Sequence, residues 1–214
     1  LIAATLLLTY DDEEQAYWTF VSIIKNMLPD DWFTSSLQGS MIEQAVIGDL
    51  VESLLPEVAA HLQDLGVELS AITFGWILSL FANCLPIETL LRIWDCFMVK
   101  GRDVSGSRAR NDSWLIALQV IPCTVIAILK LGEQGILGCD NVGELFEYLN
   151  TITERLWTAD KLVLVCHQDP GRSELMKYRS CRSSLRVVSH RQSWIDGGKS
   201  TWKRSQTDDD GHFS

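Results

Sequence analysis

Apolar residues recur every three or four positions along most of this 214-residue chain, which is the spacing of one face of an α-helix. Ala16 and Met27 share one such face of a predicted helix. Asp11 and Asp12 can cap the start of this helix, and Pro29 ends it. No run alternates apolar and polar residues for long enough to form a strand, and the sequence has no repeat of fixed period. The sequence therefore predicts an all-α, multi-helix fold.

Prolines and glycines set the expected helix boundaries. Pro56 suits the first position of a helix, because its missing N–H would be unpaired there, and Gly66 suits the left-handed residue that ends one. Leu85 and Pro86 separate two strongly apolar helices, and Gly101 is expected to close the second. Beyond the first helix, the predicted helices cover residues 41–55, 56–66, 69–83, 86–100, 141–149 and 159–166.

The charge divides the chain into two parts. The whole chain has a formal net charge of −10 and an isoelectric point near 4.8. Residues 1–166 have a net charge of −13, whereas residues 167–214 have a net charge of +3 and are rich in Ser and Arg. We therefore expect an acidic folded body followed by a disordered basic tail, and the acidic body makes nucleic acid an unfavourable partner.

An uncharged stretch at residues 113–129 could be taken for a membrane span. It is short for a bilayer, and Pro122 and Gln119 interrupt it. The sequence favours a buried core segment here and predicts no transmembrane segment.

The reactive residues of the sequence do not form a recognisable catalytic centre. None of the four histidines has the spacing of a metal site, and His61 suits the surface of a helix. Cys84 and Cys96 have no neighbouring base that would make them nucleophiles, and the six cysteines are too scattered to suggest a disulfide framework. The chain also lacks a glycine-rich phosphate loop. We expect no metal and no cofactor in this chain.

The most distinctive segment runs from Gly75 to Asp95, where two apolar helices flank a proline-containing turn. Tryptophans on successive buried helices can form the centre of a helical core. The residues that define this segment are Trp76, Phe81, Pro86, Arg92, Trp94 and Asp95.

The order of motifs along the chain resembles the TBC domain of Rab GTPase-activating proteins. The resemblance extends over about residues 1–166 and is most specific between Trp76 and Asp95. It implies an all-helical domain that acts on a small GTPase of the Rab family, with GTP and Mg²⁺ bound by that partner. The resembling pieces are residues 1–8, 12–18, 55–62, 74–81, 85–89 and 92–95, followed by weaker ones at 126–130 and 145–149.

The family's two catalytic groups are missing from the sequence. Members supply an arginine from an Ile-x-x-Asp-x-x-Arg motif and a glutamine from a Tyr-x-Gln motif, and neither motif occurs here. Gln38 lacks the tyrosine and Arg92 belongs to the structural block, so we reject both as catalytic residues. We expect the two motifs to precede Leu1, which makes this chain the C-terminal portion of a domain that is incomplete at its N-terminus and inactive alone.

Several expectations accompany this interpretation. Loss of the preceding helices should uncover an apolar patch around Leu6, Leu7 and Trp18. Residues 101–122 make a longer connection than family members usually have. The resemblance implies a cytoplasmic protein that reaches endomembranes through its partner. The alternative is a non-catalytic helical adaptor that binds a GTPase or another trafficking protein.

Overall fold

A computed structural model of the chain describes residues 1–102, 118–157, 159, 160 and 162. All the regular secondary structure in these residues is helical, which confirms the predicted all-α class. The helices are α1 (Ile2–Thr9), α2 (Glu13–Ser22, continued by a π-helical turn at Ile23–Met27), α3 (Gln38–Leu54), α4 (Pro56–Asp64), α5 (Leu69–Leu78), α6 (Ile87–Arg102), α7 (Val120–Leu137) and α8 (Val142–Glu154).

Helix α7 is the central element of the core. Helices α3, α4, α6 and α8 all pack against it, and every residue from Val120 to Leu129 is buried. By length and composition α7 could cross a membrane, but 67% of its apolar window is buried inside the fold. For the described residues 118–129, this confirms the buried core segment that the sequence favours.

Most of the predicted helix boundaries are confirmed. The backbone N–H of Glu14 donates to Asp12 Oδ1 at 3.0 Å, so Asp12 caps α2. Pro56 is the first residue of α4, and Gly66 takes a φ of 69° two residues after that helix ends. Asn141 caps α8 by accepting from the N–H of Glu144 at 3.0 Å.

Other boundaries differ from the prediction. Helix α3 begins at Gln38, not at residue 41, and α8 continues through Glu154, beyond the expected end at residue 149. Helix α5 ends at Leu78, not near residue 83, because the backbone turns left-handed at Leu80 and Phe81. Helix α6 continues through Arg102, so Gly101 lies inside the helix and does not close it. Glycine lowers helix stability by about 1 kcal/mol relative to alanine, and that cost alone does not end a helix.

The remaining predictions on secondary structure fall wholly or partly outside the described residues. Ala159, Asp160 and Leu162 are helical, as expected for the last predicted helix, and Leu162 is buried. Most of the connection at 101–122 and all of the tail at 167–214 lie outside the described residues.

Candidate functional site

The turn between α5 and α6 is built by backbone hydrogen bonds that close the C-terminus of α5. The N–H of Phe81 donates to the carbonyl of Trp76 at 2.7 Å, and the N–H of Leu80 donates to that of Ile77 at 3.2 Å. This pair of bonds is the Schellman motif, which usually places glycine at the left-handed position. Here Leu80 occupies that position with a φ of 49°, so the turn depends on support from elsewhere in the fold.

Trp94 supplies that support from α6. Its indole Nε1 donates a buried hydrogen bond of 2.9 Å to the carbonyl oxygen of Leu80. Trp76, Phe81 and Trp94 are all buried and belong to the same apolar core. Three of the distinctive residues therefore contribute to the buried core, and the hydrogen bond from Trp94 joins α6 to the turn that ends α5.

The other three distinctive residues lie nearer the surface. Pro86 is half-buried directly before α6, and its carbonyl accepts from the N–H of Leu90 at 2.9 Å. Arg92 and Asp95 form an ion pair of 3.9 Å across one turn of α6, with about 60% of each side chain exposed. Both side chains lie on the solvent side of α6, whereas Trp94 is buried.

His61, Cys84 and Cys139 each make a hydrogen bond to a backbone carbonyl oxygen. His61 Nε2 lies 3.0 Å from the carbonyl oxygen of Cys139, an acceptor, so the ring donates and links α4 to the end of α7. Burial raises the pKa of the Cys84 thiol to about 12, which keeps it protonated near neutral pH. The pKa of Cys139 is also raised, mainly because the thiol is buried and to a smaller extent because the carboxylates of Glu144 and Asp140 are near it. Within the described residues, no group of three His, Cys, Asp or Glu side chains is placed to hold a metal ion.

Gln38 is the first residue of α3, and a left-handed Leu37 precedes it. The following Gly39 is buried against the backbone of Trp32, where an added Cβ would come within 3.0 Å of the Trp32 nitrogen. Gln38 itself is half-buried in this first turn. It therefore belongs to a packed helix start.

An open groove of about 730 Å³ lies between α3, α4 and α5, and the sequence reasoning did not identify it. Met41 and Ala45 have the spacing of the apolar face that Ile42, Val46 and Leu50 also share, but both are exposed and line this groove. The groove forms because Ile42, Val46 and Leu50 take the core positions of α3. Helical spacing alone cannot distinguish an apolar side chain in a groove from one in the core.

A second open cavity, of about 680 Å³, lies where α1 and α2 meet α5. Its apolar lining includes Ile2, Phe20 and Leu78, and Phe33 from the loop before α3. Among the described helices, α5 contributes to both cavities, and the other helices that line them differ.

The described helices form an all-α domain. The family model of the Rab-GTPase-TBC domain matches residues 1–137. The chain belongs to this family, which confirms the resemblance inferred from the motifs between Leu1 and Asp95.

Individual proteins give the same result. The chain is 32% identical over 185 residues to TBC1 domain family member 2A of Rattus norvegicus, covering 86% of this chain and 18% of that protein. It is 30% identical over 183 residues to TBC1 domain family member 2B of Mus musculus, covering 86% and 17%. It is also 32% identical over 163 residues to a TBC domain-containing protein of Schizosaccharomyces pombe, covering 76% and 19%.

A solved structure shares the fold. The crystal structure of the Chlamydomonas flagellar RabGAP TBC domain superposes with a TM-score of 0.61 at 20% identity, over 78% of this chain and 50% of that chain. The chain thus spans less than a fifth of the length of the curated relatives it matches. The 185-residue match is longer than residues 1–166, so it includes part of residues 167–214.

Proposed function

We propose that this chain is the C-terminal part of a TBC domain that stimulates GTP hydrolysis by a small GTPase of the Rab family. The observation that carries the proposal is the family match over residues 1–137. The relatives' names identify them as TBC domain proteins, and the similar solved structure is described as a RabGAP. The partner GTPase would bind GTP and Mg²⁺, so this chain would need no cofactor of its own.

In this proposal the chain provides the framework of the domain, and the catalytic side chains come from sequence outside these 214 residues. An arginine supplied in trans neutralises charge that develops on the transferred phosphoryl group, and a glutamine orients the attacking water. Such groups need rigid support more than a pocket. Helices α5 and α6, joined by the hydrogen bond from Trp94 to Leu80, are suited to that supporting role.

A single-turnover assay of GTP hydrolysis tests this assignment. A panel of GTP-loaded Rab proteins is mixed with the 214-residue chain or with a longer natural polypeptide that contains it. We expect the longer polypeptide to accelerate hydrolysis by one Rab about a thousandfold or more, and the 214-residue chain to have no effect. Acceleration by the 214-residue chain alone would show that the missing-motif argument is wrong.

The absence of both catalytic motifs from the printed sequence favours one alternative, a helical adaptor that binds a GTPase without turnover. The coding sequence immediately upstream of Leu1 distinguishes the two functions. An in-frame Tyr-x-Gln motif preceded by Ile-x-x-Asp-x-x-Arg supports the activator. Substituted motifs, together with Rab binding but no acceleration, support the adaptor.

The proposed activity places the protein in the cytoplasm, with recruitment to endomembranes through the partner GTPase. Helix α7 tests this proposal, because it is the described segment that could cross a membrane by length and composition. We expect a carbonate wash to release the chain from isolated membranes. Retention after the wash would indicate that α7 leaves the core and enters the bilayer.

A further inference from the structure

The groove between α3, α4 and α5 is apolar inside and acidic at its edge. Its apolar lining includes Met41, Leu62 and Phe74, and Met41 is 60% exposed. Glu52 and Glu68 are its charged lining residues, and both are exposed. We call this surface the acidic groove.

The surrounding sequence makes the groove's charge one-sided. Residues 26–91, which contain α3, α4 and α5 entirely, include nine Asp and Glu residues and no Lys or Arg. The carboxylates that face this surface therefore have no basic side chain from the same helices to pair with. A segment that carries both basic and apolar side chains would complement the groove in charge and in polarity.

The chain contains such a segment outside the described residues. Residues 174–194 include one acid, and basic side chains are interspersed among their apolar ones. The basic residues are Lys177, Arg179, Arg182, Arg186 and Arg191, and the apolar ones include Leu175, Met176, Leu185, Val187, Val188 and Trp194.

The length of chain allows this segment to reach the groove. The described residues end at Leu162, which is buried in the core, and α8 packs on α7, which in turn packs on α3 and α4. Packed helices lie about 8–10 Å apart, so the groove is roughly two helix spacings, or about 20 Å, from α8. The twelve residues from 163 to 174 can span up to about 40 Å at about 3.3–3.6 Å per residue.

We propose that residues 174–194 bind in the acidic groove of the same molecule. Apolar side chains of the segment contact the lining around Met41 and Phe74, and its basic side chains pair with Glu52 and Glu68. This interaction does not depend on GTPase activation and can be tested without a GTPase.

Photo-cross-linking in the full 214-residue chain tests the contact. Met41→p-benzoylphenylalanine places a cross-linker in the groove, and Trp18→p-benzoylphenylalanine is the matched control, because Trp18 on α2 is 59% exposed and does not line the groove. Mass spectrometry of digested, irradiated protein should find residues 174–194 joined to the Met41 position and not to the Trp18 position. Cross-links from the Met41 position to another segment, or equal yields from both positions, would overturn the proposal.

Charge variants test the electrostatic part. Glu52→Gln combined with Glu68→Gln should lower the cross-link yield about fivefold, because two exposed ion pairs are lost. Glu147→Gln on the exposed face of α8 should leave the yield unchanged. Circular dichroism confirms that each variant is folded. An unchanged yield in the double variant would contradict the charge pairing.

A mixture of ¹⁵N-labelled and unlabelled chains distinguishes the tail of the same molecule from that of a second copy. We expect cross-linked peptides that carry a single isotope. Mixed-isotope peptides in proportion to the mixing ratio would overturn the intramolecular assignment and indicate exchange between two copies.

Discussion

Trp94 is the residue that explains why the segment from Gly75 to Asp95 is distinctive. The sequence identified it as a core aromatic residue, but its indole N–H also stabilises the carbonyl of a left-handed leucine, Leu80. A phenylalanine could fill much of the same space without making that bond. The tryptophan at this position therefore has a structural reason that composition does not reveal.

We expect Trp94→Phe to lower the free energy of unfolding by about 2 kcal/mol, because the buried Leu80 carbonyl loses its indole donor. Urea unfolding followed by circular dichroism measures this change. Trp157→Phe is the control, since Trp157 is 63% exposed, and it should change stability by less than about 0.5 kcal/mol. Equal effects of the two substitutions would contradict a special role for the buried bond.

Arg92 and Asp95 belong to the same segment, but we expect their ion pair to contribute little to stability. The charged groups are 3.9 Å apart and well exposed, so water and salt screen their attraction. A double-mutant cycle with Arg92→Ala and Asp95→Ala should give a coupling energy below about 0.5 kcal/mol. A coupling energy of about 2 kcal/mol would show that the pair is structurally important.

At the scale of helices, α4 and α5 end in the same hydrogen-bonded motif with different residues at the left-handed position. After α4, the N–H of Val67 donates to the carbonyl of Leu62 and that of Gly66 to Gln63, both at 2.9 Å. After α5, Leu80 takes the place that Gly66 has in α4. The sequence predicted the first end from its glycine and missed the second, because a leucine carries no local signal for a left-handed turn.

Gly66→Ala should lower stability by about 1 kcal/mol, because alanine is strained at a φ of 69°. Gly48→Ala in α3 is the matched control, because an added Cβ at either position has no neighbouring atom within 4 Å. At Gly48 the backbone is helical, so alanine should raise stability by about 0.5–1 kcal/mol. Thermal unfolding of both variants measures the difference, and a shift in the same direction for both would contradict the conformational argument.

The contact between α7 and α8 depends on another glycine. A Cβ at Gly135 would overlap the ring of Tyr148, so this ring can lie over Gly135 only because the glycine has no side chain. We expect Gly135→Ala to cost about 1–3 kcal/mol. In a double-mutant cycle with Tyr148→Ala, the two substitutions should couple by about 1 kcal/mol or more, and simple additivity would show that the helices can separate without loss.

At the scale of the whole molecule, the apolar surface near the start of the chain consists of different residues from those expected. Leu6 is only 2% exposed and belongs to the core, so its inclusion in the surface was wrong. Leu7 and Trp18 are exposed as expected, and Leu8 and Tyr17 are exposed with them. The large apolar side chains exposed on this helix pair are therefore Leu7, Leu8, Tyr17 and Trp18.

We expect this surface to cause self-association, since exposed apolar side chains on paired helices favour contact with other molecules. Sedimentation velocity should show an average mass that rises with concentration, and Leu8→Lys combined with Trp18→Gln should reduce the rise. Trp157→Gln is the control for loss of an exposed tryptophan elsewhere. A chain that is monomeric at all concentrations would contradict this prediction.

The sequence by itself determined the helical class, the family and the helix boundaries that depend on local chemistry, such as the Asp12 cap, Pro56 and Gly66. A cap, a first-turn proline or a left-handed glycine acts within one helical turn, so the neighbouring residues specify it. Only the tertiary structure decided that α5 stops at Leu78, that Met41 lines a groove and that Leu6 is buried. Those outcomes depend on side chains that are distant in sequence, as when Trp94 donates to Leu80, and helical periodicity holds no information on which neighbour covers a given apolar face.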